Sequence, residues 1–170
     1  WLLNIFVPPK PIARIPQGSY AKPRFTRDDQ RVVFDIRLNP SRPRDVMVVG
    51  LDDKSRARRL ASLPDSDDHS AAPSPTRDEI VFVSDRDGSP DLFLSSLTSK
   101  GKAVNLTKGS TDADLDPIWS PDGERIAYVV VPKADYLAEK PNHPASIVRV
   151  IDRKGKLLFE TAGLMPGWMP

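Results

Sequence analysis

The 170-residue chain contains no cysteine. That excludes disulfides, cysteine nucleophiles, cysteine-ligated zinc and c-type haem attachment, and it leaves the compartment open. Histidine is nearly absent too. His69 and His143 are the only two, and both fall in predicted loops. There is no Gly-x-Ser-x-Gly elbow and no Gly-rich loop between a strand and a helix, so neither a hydrolase triad nor a nucleotide site has support. No segment shows a sustained 3.6-residue apolar period flanked by caps, which predicts little helix. Charge of one sign is lacking as well: 25 basic against 23 acidic residues leave a net +2. The cluster Lys54-Ser-Arg-Ala-Arg-Arg59 has no interleaved aromatics and reads as a solvated turn, so no nucleic acid is expected as a partner.

What the chain does have is repetition. Asp116-Pro-Ile-Trp-Ser-Pro-Asp-Gly-Glu-Arg-Ile-Ala-Tyr128 falls, 94 positions earlier, on Lys22-Pro-Arg-Phe-Thr-Arg-Asp-Asp-Gln-Arg-Val-Val-Phe34. Pro23 then matches Pro117, Phe25 matches Trp119 and Asp28 matches Asp122. A looser copy lies 46 positions earlier, with Ser74-Pro75 on Ser120-Pro121, and Pro166-Gly-Trp-Met-Pro170 opens a further one. A period of about 40–50 residues with several short strands per unit marks propeller blades.

The chemistry of one unit fits. Pro117-Ile-Trp-Ser120 is a short apolar strand, and Pro121-Asp122-Gly123 is a turn in which Pro pre-sets φ and Gly supplies φ > 0. Arg125-Ile-Ala-Tyr-Val-Val-Val131 is a β-branched and aromatic run suited to a strand covered on both faces. Segments 146–152 and 156–160 follow as third and fourth strands. The second unit repeats strands at 80–84, 91–95 and 103–107, and the first at 31–37, 45–51 and 58–61. The predicted fold is all-β: about three four-stranded antiparallel blades of an incomplete propeller, preceded by an extended arm. The arm takes residues 1–20 and the blades 21–65, 71–110 and 115–162, with a stub at 166–170. Phe25, Trp119 and the stub's Trp168 are expected to pack between blades at equivalent positions.

The motif Pro-x-Trp-Ser-Pro-Asp-Gly-x-x-Ile-Ala-Tyr, together with Ser84-Asp-Arg-Asp-Gly88, Asp91-Leu-Phe-Leu94 and Val104-Asn-Leu-Thr107, resembles the repeat of TolB-type β-propellers over residues 21–170. The first two units depart from it, with Asp29-Gln30 and Thr76-Arg77 at the turn. The resemblance implies a blade fold shared by TolB, by the propellers of prolyl-oligopeptidase-like peptidases and by other envelope proteins. It therefore implies a non-catalytic protein-interaction propeller of the bacterial envelope, periplasmic and membrane-associated, with protein partners and no cofactor or small-molecule substrate. The alternatives are a structural accessory subunit of a large membrane complex, respiratory or photosynthetic for example, and the propeller of an oligopeptidase.

Other features bear on partners. Three units and a stub fall short of the 4–8 blades of a closed ring, and the chain begins with Trp1. Both features predict a segment of a longer protein, or an arc docked on larger partners. In the arm, Trp1, Leu2, Leu3, Ile5 and Phe6 form an apolar stretch that Pro8-Pro-Lys-Pro11 breaks. Seven residues cannot span a bilayer, which needs about 20. The stretch is the end of a membrane anchor, a segment packed along a blade, or a closure strand. Strand order places the loops at 38–44, 63–70, 85–90, 108–115 and 132–145 on one face, where insertions mark binding surfaces. Tyr136, Leu137 and His143 are the candidate contacts in the longest of them. The oxygen-rich runs 65–68, 85–91 and 112–116 lack EF-hand spacing and read as turns rather than calcium sites.

Overall fold

β-Branched and aromatic residues alternate through three runs, and each becomes the middle of a four-stranded sheet. The computed structural model describes residues 16–52, 54–60, 65–98, 102–138 and 146–162. Blade 1 consists of β1 (Ser19–Phe25), β2 (Arg31–Arg37), β3 (Asp45–Gly50) and β4 (Arg58–Arg59). Blade 2 consists of β5 (His69–Pro73), β6 (Glu79–Ser84), β7 (Asp91–Ser96) and β8 (Val104–Asn105). Blade 3 consists of β9 (Ala113–Trp119), β10 (Arg125–Val131), β11 (Ile147–Asp152) and β12 (Leu157–Ala162). Each sheet is antiparallel and ordered as the chain runs. The architecture is an incomplete propeller of three blades.

The inner turn of each blade explains why the motif has its composition. Thr26, Ser74 and Ser120 are buried at equivalent positions. Their amides donate to the carbonyls of Arg31, Glu79 and Arg125 at 3.0, 2.9 and 2.9 Å. Ser120 Oγ also donates to Asp122 Oδ1, which accepts the Glu124 amide at 3.0 Å. Gly123 takes φ +69°, and Asp29 in the first blade takes φ +54°. Asp tolerates the left-handed region better than most residues, so the turn survives without its glycine.

Alternating faces of the middle strands build the core. Val33, Val46 and Val48 of blade 1 pack with Ala71, Ile80, Phe82 and Phe93 of blade 2. Val81, Val83 and Leu92 of blade 2 pack with Trp119, Ile126, Tyr128 and Val130 of blade 3. Trp119 Nε1 donates to the Ala72 carbonyl at 2.9 Å across that junction. Ion pairs also join neighbouring blades: Arg31–Asp78 at 3.0 Å, Arg77–Glu124 at 2.5 Å and Arg153–Glu79 at 2.6 Å.

Two expectations need correction. Phe25 holds the register position of Trp119, facing Val32 as Trp119 faces Ile126, but it is 63% exposed against 8% for Trp119. The residue that buries Trp119 comes from the preceding blade, and among the described residues blade 1 has none. His69 lies not in a loop but at the first position of β5, and it is buried. The 132–145 insertion also opens with one short helix, α1 (Lys133–Leu137), where Pro132 pre-sets φ at −50° and Asp135 sits in the first turn.

Candidate functional site

Each inner strand breaks register once, in the same place. The breaks lie between Ala21 and Arg24, between His69 and Ala72, and opposite 127–129 on β9. Within each sits one non-glycine residue in the left-handed region: Lys22 at φ 49°, Ser70 at 52° and Asp116 at 49°. Such backbones persist only where the surroundings over-determine them, and bulges re-aim side chains. Here all three aim at one point. Lys22 Nζ donates to Ser70 Oγ at 2.9 Å and to the Asp116 carboxylate. Ser70 Oγ in turn donates to Asp116 Oδ1 at 3.2 Å, and its amide donates to Asp35 Oδ2 at 2.8 Å. A cavity of about 400 Å³ opens beside the group, walled by Phe25, Ala72, Pro73 and Ile118 with Arg24 at its edge.

Electrostatics define what the cluster can do. Burial acts to raise the Asp116 carboxyl, but hydrogen bonds from Lys22 and Ser70 and the lysine charge outweigh it and hold the group below the usual carboxylate range. Burial, with the charges of Arg44 and Lys22, lowers His69 to about 3. Its Nδ1 lies 2.9 Å from Ser70 Oγ. A histidine with so low an affinity for protons is a poor general base at neutral pH. The arrangement is a polar clamp joining three blades, with half-exposed charges of both signs beside an apolar wall.

The loop face is cross-wired. Arg44 of the β2–β3 loop clasps Asp67 of the β4–β5 connection, with Nε 3.0 Å from Oδ1. The Asp67 amide donates to Asp85 Oδ1 at 2.8 Å. Arg86 reaches both oxygens of buried Asp68 at 2.9 and 3.0 Å and lies over the Phe82 and Phe93 rings. The Lys133 amide donates to Asp112 Oδ1 at 3.3 Å. The acidic runs are thus engaged by arginines and backbone amides. Among the described residues no three His, Cys, Asp or Glu side chains group to hold a metal ion. A second cavity of about 170 Å³ lies here, between Asp85, Pro90 and Asp112 on one side and Lys133, Tyr136 and Leu137 on the other.

No protein-family model matches the chain, and no curated protein matches it. Solved structures do. A protein assigned as TolB from Agrobacterium tumefaciens is 19% identical with a TM-score of 0.64, over 80% of this chain and 47% of that one. TolB from Acinetobacter baumannii is 24% identical with a TM-score of 0.56, over 82% and 32%. A puromycin-hydrolyzing peptidase of Mycobacterium tuberculosis is 14% identical with a TM-score of 0.63, over 84% and 22%. The fold is that of a TolB-like β-propeller. The chain spans less than half the length of each of these proteins.

Within this TolB-like frame, Pro117, Trp119 and Gly123 are buried while Pro23, Pro121 and Asp122 are exposed. Tyr136 is half-buried against Ala113, Val129 and Val131, and Leu137 is 69% exposed on the loop face. Trp1, Leu2, Leu3, Ile5, Phe6, His143 and Trp168 lie outside the described residues. The sequence reading passed over Lys22 and Ser70. The repeat offsets held the signal, because they place both on Asp116. No helix among the described residues is long and apolar enough to cross a membrane.

Proposed function

We propose that the chain is a non-catalytic protein-interaction propeller of the bacterial envelope, periplasmic, which presents its loop face to a protein partner. The observation that carries this reading is the wiring of that face. Arg44–Asp67, Asp67–Asp85, Arg86–Asp68 and Lys133–Asp112 tie loops of all three blades into one surface. Exposed Leu137 stands on that surface beside a cavity. A preorganised face with an apolar anchor binds with little loss of conformational entropy. TolB structures among the fold's neighbours support the envelope setting. An accessory subunit of a membrane complex would use the same face.

The test is a photoreactive residue at position 137, with position 124 on the opposite face as control, in cells making the full protein. A covalent adduct with one envelope protein from position 137 alone is expected. Equal or absent adducts at both positions would sink the proposal. The likeness to a peptidase propeller favours a second reading, a propeller attached to a hydrolase domain. Cleavage of a prolyl-peptide anilide by the full protein would select it.

A further inference from the structure

Two carboxylates are buried where blade 2 meets blade 3 at the loop-face end. Asp114, the second residue of β9, is 0% exposed, and Asp91, the first of β7, is 2% exposed. Asp91 has donors: Asn105 Nδ2 at 2.7 Å and Ser89 Oγ at 3.1 Å. Asp114 does not. The hydroxyls nearest it are engaged elsewhere, Thr107 Oγ1 accepting the Leu92 amide at 3.0 Å and Ser110 Oγ donating to the Asp112 carbonyl at 3.4 Å. Neither Asp114 oxygen gains a hydrogen bond of good geometry. A buried carboxylate without donors is unstable as an ion, and neighbouring carboxylates resist ionising together. The proton therefore belongs to Asp114.

The other groups around it do not take its place. Tyr128 of β10 faces Asp114 as a neutral phenol, its proton held by burial and by the aspartate. Arg149 of β11 favours the anion but is drawn to Glu160 of β12, with Nε 2.6 Å from Oε2. Burial pushes the Asp114 pKa up to about 7, and Asp91 adds to the rise. His69, lowered to about 3, does not titrate in that range.

The junction is fastened unequally. At the inner-turn end Trp119 Nε1 donates to the Ala72 carbonyl at 2.9 Å and Arg77 Nη1 to the Gly123 carbonyl at 3.2 Å, while Arg153 pairs with Glu79 at 2.6 Å. An apolar seam of Val81, Val83, Ile126 and Val130 follows. At the loop-face end the Asp114 amide donates to the Pro90 carbonyl at 2.8 Å. That bond lies about 17 Å of strand from Trp119. Pro90 and Ala113, which flank it, also wall the cavity of about 170 Å³ on the loop face.

We propose that the junction between blades 2 and 3 is a proton-gated hinge. With a proton on Asp114 its loop-face end is closed. Loss of the proton parts that end about the Trp119–Ala72 contact and lets water reach the Asp114 and Asp91 carboxylates. Hydration relieves the buried charge, while the seam and the cross-links keep the inner-turn end shut. Local opening of this kind follows the least stable part of a structure. Because Pro90 and Ala113 line it, the loop-face cavity changes shape with pH.

Hydrogen exchange in the full chain, read by NMR at pH 5 and pH 8, tests the hinge. Each rate is divided by that of an unstructured peptide at the same pH. Protection of the Asp114 amide is expected to fall at least tenfold between pH 5 and pH 8. The Trp119 indole N–H, which crosses the same junction at the hinge, should change less than twofold. In Asp114→Asn, which keeps the shape and cannot ionise, the residue 114 amide should be equally protected at both pH values. An equal fall at both groups would overturn the hinge, because the proton would then set only the stability of the whole fold. So would constant protection at Asp114, or a fall that survives in Asp114→Asn. The comparison of the two ends in the unsubstituted chain decides the matter even where the variant fails to fold.

Discussion

The ammonium of Lys22 in the first blade and the carboxylate of Asp116 in the third meet across the second blade, at the hydroxyl of Ser70. The two residues stand 94 positions apart, and each is held in a left-handed backbone by its own strand bulge. The pair is half-exposed, at 43% and 55% of the side chains, so its worth is that of a surface ion pair. Lys22→Met should cost about 0.2–1 kcal/mol near neutral pH. Because the folded-state affinity of Asp116 for protons is depressed, its contribution is present above the ordinary aspartate range and is lost as pH falls through the folded value. Urea titrations of both proteins at pH 6 and pH 3 check this. An undiminished difference at pH 3 would dismiss the pair.

Trp119 and Phe25 share a register but not an environment. Trp119→Ala should lose about 3–5 kcal/mol, the range for a large buried aromatic. Trp119→Phe should lose about 1 kcal/mol through the bond to the Ala72 carbonyl. Phe25→Ala should stay within about 0.5 kcal/mol. Chemical denaturation of the three variants reads the order directly.

Asp114 is fully buried, and the hydroxyls of Thr107 and Ser110 lie near its carboxylate without reaching good hydrogen-bond geometry. Burial pushes its pKa up to about 7, with the nearby Asp91 adding to the rise and those hydroxyls and the Arg149 charge opposing it. The folded state therefore holds a proton that the unfolded chain releases near pH 4, and stability falls as pH rises from about 4 to 7. Asp114→Asn should remove that slope and stabilise the protein at pH 8 by on the order of 2–4 kcal/mol. Thermal melts at pH 5 and pH 8 decide it: the gain belongs at pH 8.

Gly155 takes φ +88° in the β11–β12 turn, and a Cβ there would stand 2.2 Å from the Leu106 carbonyl oxygen of blade 2. Backbone cannot yield as a side chain can. Gly155→Ala should cost more than about 1 kcal/mol, whereas Gly109→Ala, equally left-handed but in open space, carries the conformational cost alone. Comparing their urea midpoints separates the two contributions.

Sequence alone determined the all-β class, the middle strand of each blade and the Pro-Asp-Gly turn, because these rest on local chemistry. Val-, Ile- and Tyr-rich runs pleat, and Ser-Pro-Asp-Gly closes a turn through its own hydroxyl and carboxylate. The strand starting at His69 escaped notice because its residues, His-Ser-Ala-Ala-Pro, carry little strand propensity and are held by pairing with β6. Only the tertiary structure decided the rest. Phe25 is exposed and Trp119 buried because burial depends on what the neighbouring blade supplies. Lys22, Ser70 and Asp116 converge because a one-residue bulge in each strand turns a side chain to a new direction, and the stacking of three such strands brings those directions together.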